Sequence, residues 1–182
     1  MDFYAAGVKP MINHLAGSVN KEDCMQAWYA NDSSAAGKLN EVKLWWQQLN
    51  QHGPKFGYYP KASKSVLILK KQSLLHEARR IFADTNIEIT CQGERHLGAV
   101  IGHEDYKSQY VAEKVKKWTQ DIKDLAEIGK DEPQAALSAY VKSMSHRWTF
   151  VQRTIPGTKH LFEPLEKCIR CFYSLHCWKK CL

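Results

Sequence analysis

Residues 24–34, Cys-Met-Gln-Ala-Trp-Tyr-Ala-Asn-Asp-Ser-Ser, decide how the first half of the chain folds. The apolar run over residues 24–30 is short and has the composition of a strand. It is followed by Asn31, Asp32, Ser33 and Ser34, which are residues that favour tight turns. We therefore predict a strand that enters a hairpin, with these polar residues at its tip.

Amphipathic helices are predicted on both sides of this hairpin. Upstream, apolar residues recur at spacings of three and four: Tyr4, Val8, Met11, Ile12 and Leu15. Downstream, the same spacing is formed by Val42, Trp45, Trp46 and Leu49. Gly53 and Pro54 end this second helix, and its tryptophans are expected to pack in the core.

Further downstream, residues 66–69 predict a strand covered on both faces because they form a continuous apolar run. A helical stripe follows: Leu74, Leu75, Ala78, Ile81 and Phe82. Residues 87–91 alternate between apolar and polar, Gln92 and Gly93 suit a turn, and residues 97–101 run back. We predict a second hairpin here, and the sheet is expected to end at Gly102.

From residue 103 onward the pattern is helical. One long helix carries a narrow apolar stripe: Val111, Val115, Trp118, Ile122 and Leu125. Asp131 and Pro133 form a helix-start pair. A second long helix, with Trp148 on its apolar stripe, then continues to Pro156. The sequence thus predicts an α+β region followed by an all-helical region, with a boundary near residue 102.

The composition is that of a globular protein, with 44% hydrophobic and 25% charged residues among 182. A net charge of +7 predicts an anionic partner, nucleic acid first and an acidic membrane surface second. No stretch approaches the roughly 20 apolar residues of a membrane helix, and residues 1–19 lack the pattern of a secretory signal. We expect a soluble intracellular protein, nuclear or cytoplasmic, with reduced cysteines and no membrane partner.

The segment 28–32, Trp-Tyr-Ala-Asn-Asp, resembles the Tyr-Ala-Asp-Asp hairpin of reverse transcriptases, with asparagine in place of the first aspartate. Three further blocks resemble polymerases of non-long-terminal-repeat retrotransposons. Residues 34–39, the helix with Trp45 and Trp46, and residues 53–65 together resemble the downstream palm. Residues 93–102 resemble the hairpin that grips the primer strand, and residues 133–156 the helical thumb. Ordered blocks across residues 1–166 are more specific than a single short motif.

The resemblance implies an α+β chain in three parts. Residues 1–102 would form a partial polymerase palm, a short antiparallel sheet with packed helices. Residues 103–166 would form an all-helical, thumb-like region, and residues 167–182 a divergent Cys-rich tail. The partners implied are RNA or an RNA–DNA hybrid, and the remainder of a polymerase encoded upstream.

The chemistry of polymerases explains why the hairpin matters. Two Mg²⁺ ions about 3.5–4 Å apart assist nucleotidyl transfer, and carboxylates are the hard oxygen ligands that hold them. The resemblance implies that Asn31 stands where an aspartate contacts both ions, which leaves Asp32 as the metal ligand. A further family aspartate, on an earlier strand, has no counterpart. We therefore expect a reverse-transcriptase (nucleotidyltransferase) fragment that is inactive alone, with Mg²⁺ not bound productively.

Two other residues of this region have alternative interpretations. By its position in the motif, Lys64 corresponds to a lysine thought to protonate the departing pyrophosphate. It would equally serve as a solvated residue at the start of a strand. Tyr29 would either stack near a primer end or pack in the core, and an aromatic residue in a strand more often packs in the core.

Basic residues on the predicted helices are candidates for contacts with the phosphate backbone of a hybrid. Lys142, Arg147 and Arg153 are the preferred nucleic-acid-binding candidates. Acidic residues interrupt the earlier helix, which favours an ordinary solvated face for its lysines: Lys114, Lys116, Lys117 and Lys123.

The tail has the ligand spacing C-x2-C-x4-H-x4-C of a zinc knuckle, a nucleic-acid-binding unit. The four candidate Zn²⁺ ligands are Cys168, Cys171, His176 and Cys181. However, the glycines that let such a unit turn around its metal are absent, and Cys177 is a competing ligand. This favours an out-of-frame or mis-spliced ending over a zinc site.

Three hypotheses for function follow from the sequence. The first is a truncated, inactive reverse-transcriptase fragment. The second is a non-catalytic nucleic-acid-binding remnant, with or without a zinc-binding tail. The third is an expressed fragment without a retained role, destabilised by an unpaired sheet edge.

Overall fold

The computed structural model describes residues 2–175, and the side chains of residues 6–174. The chain has an α+β fold and divides into two compact units, Met1–Thr90 and Cys91–Leu182. The boundary expected from the sequence falls after residues 93–102, whereas the units divide before them. The reason is that Val100, in this segment, shares a core with Val111 on the following helix.

The first unit combines helices with short strands. Its elements are α1 (Asp2–Ser18), β1 (Cys24–Tyr29), β2 (Asp32–Gly37), α2 (Leu39–His52), β3 (Val66–Ile68), α3 (Leu75–Ile81) and β4 (Glu88–Thr90). Short 3₁₀ turns occupy Gly53–Phe56, Ala62–Lys64 and Gln72–Leu74.

Helices α1 and α2 and the β1–β2 hairpin share the apolar core of the first unit. Its buried residues are Val8, Met11, Leu15, Cys24, Trp45 and Leu49. Trp46 is partly buried against the same cluster. The helices predicted from three- and four-residue spacings are confirmed, and so is the assignment of both tryptophans to the core.

The strands after residue 65 differ from the prediction. β3 is half-buried rather than covered on both faces, since it belongs to a two-stranded sheet with β4. The pairing is parallel and places Leu67 opposite Ile89. The predicted hairpin between residues 87–91 and 97–101 is therefore wrong.

The second unit begins with a hairpin and continues as helices. Its elements are β5 (Gly93–His96), β6 (Ala99–Gly102), α4 (Glu104–Asp131), α5 (Pro133–Ala139), α6 (Ser145–Thr154) and α7 (Glu163–Leu175). A π-helical turn, Tyr140–Met144, joins α5 to α6, and a 3₁₀ turn, Lys159–Phe162, precedes α7.

The turn of the β5–β6 hairpin lies at Leu97 and Gly98, not at Gln92 and Gly93 as predicted. Both turn residues have positive φ, 50° and 80°, as a two-residue type I′ turn requires. The sheet ends at Gly102 as predicted. A single antiparallel sheet is not formed, because the described strands make three separate two-stranded ladders, one of them parallel.

The apolar stripe of α4 lies at the centre of the second core, as the sequence predicts. Trp118 is buried, with its ring centroid 6.2 Å from that of Trp148 and 6.4 Å from that of Phe162. Tyr140, in the π-helical turn, stacks on Phe172 at 5.5 Å. Aromatic side chains of five elements therefore join the helices of this unit.

Helix α7 runs through residue 167, where the Cys-rich tail was expected to begin. Its Phe172 is buried in the core of the second unit, so residues 167–175 continue the fold of that unit. Residues 176–182 of the expected tail lie outside the described residues. None of the described helices combines the length and the apolarity needed to cross a membrane.

Candidate functional site

The Tyr-Ala-Asn-Asp segment forms the end of the β1–β2 hairpin. Tyr29 and Asp32 are a cross-strand pair, and Ala30 and Asn31 form the two-residue turn between them. Ser33 was predicted at the tip with Ser34, but both belong to β2 and pair with β1. The reason is that the turn has room for only two residues, Ala30 and Asn31, so the polar residues that follow continue into β2.

Tyr29 is 65% exposed, so its assignment to the core is wrong. Side chains of a strand alternate between two faces, and burial along β1 follows this alternation. Cys24, Gln26 and Trp28 are the more buried residues, whereas Met25, Ala27 and Tyr29 are exposed. Because Trp28 and Tyr29 are consecutive, only one of the two rings can face the core.

Gln26 fixes the inner face of the hairpin to the two helices. Its Oε1 accepts hydrogen bonds from Nε1 of Trp28 (3.1 Å) and Nε1 of Trp45 (2.9 Å). Its Nε2 donates to the backbone carbonyl of Ile12 (2.8 Å). One amide thereby connects β1 with α1 and α2 and holds the strand that leads to the turn.

Tyr58 connects the loop after α2 to the same hairpin. Its hydroxyl is hydrogen-bonded to the hydroxyl of Ser33 at 2.7 Å, and its ring packs edge-on against Trp28 at 5.4 Å. Gly53 permits this arrangement because a Cβ there would lie 2.6 Å from the carbonyl oxygen of Tyr58.

The turn itself offers few metal ligands. Asp32 and Asn31 are both exposed, so they contribute one carboxylate and one neutral amide. Within the described residues, no group of three or more His, Cys, Asp or Glu side chains is placed to hold a metal ion. The donor set differs from the cluster of carboxylates that Mg²⁺-dependent nucleotidyl transfer uses.

Lys64 lies at the end of the 3₁₀ turn Ala62–Lys64 and is exposed. Its backbone N–H donates to the carbonyl of Lys61 at 3.0 Å. No hydrogen bond or ion pair joins its side chain to Asp32 or to any other described residue. The structure therefore brings Tyr29, Asn31 and Asp32 together at the turn, and it shows no hydrogen bond or ion pair between Lys64 and these described residues.

The three basic candidates of the second unit do not form one row. Lys142 is exposed in the π-helical turn, and Arg153 is exposed near the end of α6. Arg147 forms an ion pair with Asp121 of α4, with 3.3 Å between Nη1 and Oδ2. Six residues separate Arg147 from Arg153, which leaves them about 120° apart around the helix axis.

A cation–aromatic cluster in the second unit was not foreseen from the sequence. Cζ of Arg95 lies 5.4 Å, and Nζ of Lys114 5.5 Å, from the ring centroid of Tyr110. The Tyr110 hydroxyl donates to the carbonyl of Gly98 at 3.4 Å, and the Phe150 ring lies beside Gly98. The four-residue spacing of Tyr110 and Lys114 places them on one helix face, whereas the approach of Arg95 depends on the hairpin.

The cysteines of the tail are only partly described. Cys168 and Cys171 lie three residues apart on α7, and the thiol of Cys168 donates to the carbonyl of Thr119 at 3.6 Å. Burial raises the pKa of Cys168, which disfavours the thiolate that binds zinc. His176 and Cys181 lie outside the described residues, so the expectation that the tail does not form a zinc site stays a prediction.

Comparisons with models of protein families, with curated proteins and with solved structures gave no match to this chain.

Proposed function

We propose that the chain is a palm and thumb fragment of a non-long-terminal-repeat retrotransposon reverse transcriptase that does not catalyse nucleotidyl transfer alone. The lineage rests on the ordered sequence blocks. The observation that carries it furthest is the hairpin turn, where Tyr29 and Asp32 are paired and exposed. An α+β unit followed by a largely helical one also agrees with a palm that precedes a thumb.

The turn does not fit a pair of Mg²⁺ ions. Two divalent cations about 3.5–4 Å apart repel each other and need several anionic ligands to offset their charge. Asp32 supplies one carboxylate, and Asn31 supplies only the dipole of its amide. The described residues therefore lack the ligands for two-metal transfer, and the expected partner is the remainder of a polymerase that carries them.

Primer extension tests this proposal. A labelled DNA primer on an RNA template is incubated with the purified chain, deoxynucleotides and Mg²⁺ or Mn²⁺. We expect no extension by the chain or by Asn31→Asp alone. Extension is expected when Asn31→Asp is combined with a polypeptide that supplies fingers and the upstream palm, and Asp32→Asn is the matched control that should abolish it.

The possible results separate the two parts of the proposal. Templated extension by the unaltered chain, lost in Asp32→Asn, would contradict its inactivity. Failure of the complemented Asn31→Asp chain to extend, although the two polypeptides associate, would contradict the lineage.

Non-catalytic binding of an RNA–DNA hybrid is a second candidate function, which the Arg95–Tyr110–Lys114 cluster favours. A hybrid offers phosphates to cations and sugar edges to an aromatic surface. The test is fluorescence anisotropy of a labelled hybrid at low and physiological salt. Replacement of Arg95 and Lys114 by glutamine should weaken binding more than the same change at Lys116 and Lys117. If both sets of replacements weaken binding equally, the interaction depends only on the net charge of the chain.

A further inference from the structure

The positive charge of the chain is concentrated in one segment of the first unit. Residues 55–80, which we term the basic segment, contain seven of the 26 Lys and Arg residues: Lys55, Lys61, Lys64, Lys70, Lys71, Arg79 and Arg80. They contain only one of the 19 acidic residues, Glu77. All other positions together hold 19 cations and 18 anions. The segment thus accounts for nearly the whole net charge of +7.

The seven cations of the basic segment are all exposed. None of them forms an ion pair or a side-chain hydrogen bond with the described residues. Other cations of the same unit are paired, since Lys38 contacts Asp23 and the buried Lys43 contacts Asp84. A run of unpaired like charges repels itself and does not stabilise the fold, so folding does not account for it.

Helix α3 presents part of this charge on one face. His76, Arg79 and Arg80 stand at positions i, i+3 and i+4, which are neighbours on a helix surface. Ala78 marks the buried side of the helix. Lys70 and Lys71 lie just before α3, separated from it by one 3₁₀ turn.

Two exposed aromatic rings lie between the first two lysines of the segment. Phe56 follows Lys55 and is 38% exposed, and Tyr59 precedes Lys61 by two residues and is 70% exposed. Tyr58 between them is the ring that packs on the hairpin. Tyr59 therefore has an open face that the core does not use, beside cations that the fold does not neutralise.

We propose that the basic segment binds single-stranded nucleic acid, with Lys and Arg on the phosphates and a base stacked on Tyr59. Open aromatic rings beside unpaired cations are the chemistry by which proteins hold single strands. A duplex keeps its bases stacked on one another and offers none to Tyr59. The inference does not depend on a polymerase lineage or on the hybrid contacts of the second unit.

The test is anisotropy of a labelled oligouridine, about 20 nucleotides long so that it spans one site, titrated with the full chain at several salt concentrations. Arg79→Gln with Arg80→Gln should weaken binding and lower the slope of log Kd against log salt by about 1.4, or 0.7 per lost phosphate contact. Tyr59→Ala should weaken binding at least about fivefold with an unchanged slope, because it removes stacking and no charge.

Lys9→Gln with Lys21→Gln is the matched control. Both lysines are exposed, form no ion pair with a described residue, and belong to the same unit but lie outside the basic segment. Circular dichroism of each variant verifies that it is folded. The proposal is overturned if the control weakens binding as much as the arginine variant, or if folded Tyr59→Ala binds normally. It is equally overturned if folded Tyr59→Ala weakens the binding of a duplex of the same length as much as that of the oligouridine, or if anionic phospholipid vesicles bind and the oligouridine does not.

Discussion

Replacement of Gln26 by methionine tests how the hairpin is held. Methionine keeps the length of the side chain but removes the acceptor for two indole N–H groups and the donor to Ile12. Trp45 is 4% exposed, so its N–H would lose its acceptor where water cannot replace it. A buried donor left without a partner costs about 1–3 kcal/mol. Trp28 is only partly buried, so we expect the loss of its acceptor to cost less than the loss at Trp45.

We therefore expect Gln26→Met to lower the free energy of unfolding by about 2 kcal/mol. For a unit of this size, that loss lowers Tm by roughly 8–16 °C. Urea denaturation followed by tryptophan fluorescence and circular dichroism measures it. Gln47→Met on the exposed face of α2 is the control. Gln26→Glu keeps the acceptor for both indoles and should lose less than Gln26→Met. If Gln26→Met loses no more than Gln47→Met, the amide does not connect these elements as described.

Other predictions concern particular atoms. Gly37→Ala should lower the free energy of unfolding by about 1–3 kcal/mol, because its Cβ would lie 2.0 Å from the Asp23 carbonyl oxygen. Gly7→Ala, with open space around it in α1, should raise the free energy of unfolding by about 0.5–1 kcal/mol. Urea denaturation measures both changes. Burial, with a smaller effect of Tyr173, raises the pKa of Tyr140 to about 12. The folded state then keeps a proton that the unfolded state releases near pH 10, so stability should fall as pH rises from about 10 to 12, and Tyr140→Phe should reduce that fall in denaturation curves. Metal analysis of protein purified without an affinity tag should find well under one zinc ion per chain. A content of one zinc ion per chain that is lost in Cys171→Ser would contradict this prediction. Titration with Mn²⁺, followed by water proton relaxation, should show roughly 15-fold tighter binding to Asn31→Asp. A second carboxylate about 5 Å from a divalent ion adds roughly 1.7 kcal/mol even in water. Equal binding by the unaltered chain would refute this charge argument.

The helices could be predicted from the sequence because their signal is local. A spacing of three and four residues identifies both a helix and its buried face, which was enough for α1, α2 and α4. Strand partners are not encoded in this way, since alternation indicates a face and not a neighbour. The pairing of β4 with β3, which lies about 20 residues earlier in the chain, could therefore not be predicted from the sequence.

The candidate site was predictable where it depends on the alternation of side chains along a strand and on the number of charged residues. Alternation along β1 already requires Tyr29 to face away from Trp28, so its exposure was available from the sequence. The excess of cations in residues 55–80 was available too. In contrast, the ion pair between Arg147 and Asp121 depends on how α4 and α6 pack, and no local pattern indicates it.

The turn sequence is not the one that folding alone would favour. Ala30 has φ of 51°, a conformation that costs an L-residue with a Cβ about 1–2 kcal/mol. Asn-Gly or Gly at this position would form a two-residue turn without that cost. The residues at the tip also bury little surface, because they are exposed. The hairpin is held instead by Gln26 and Trp28 on the inner face of β1. Strain at an exposed tip points to a role other than folding. The polymerase lineage that we propose would account for it, because the turn that this segment resembles has alanine between tyrosine and the metal-binding pair.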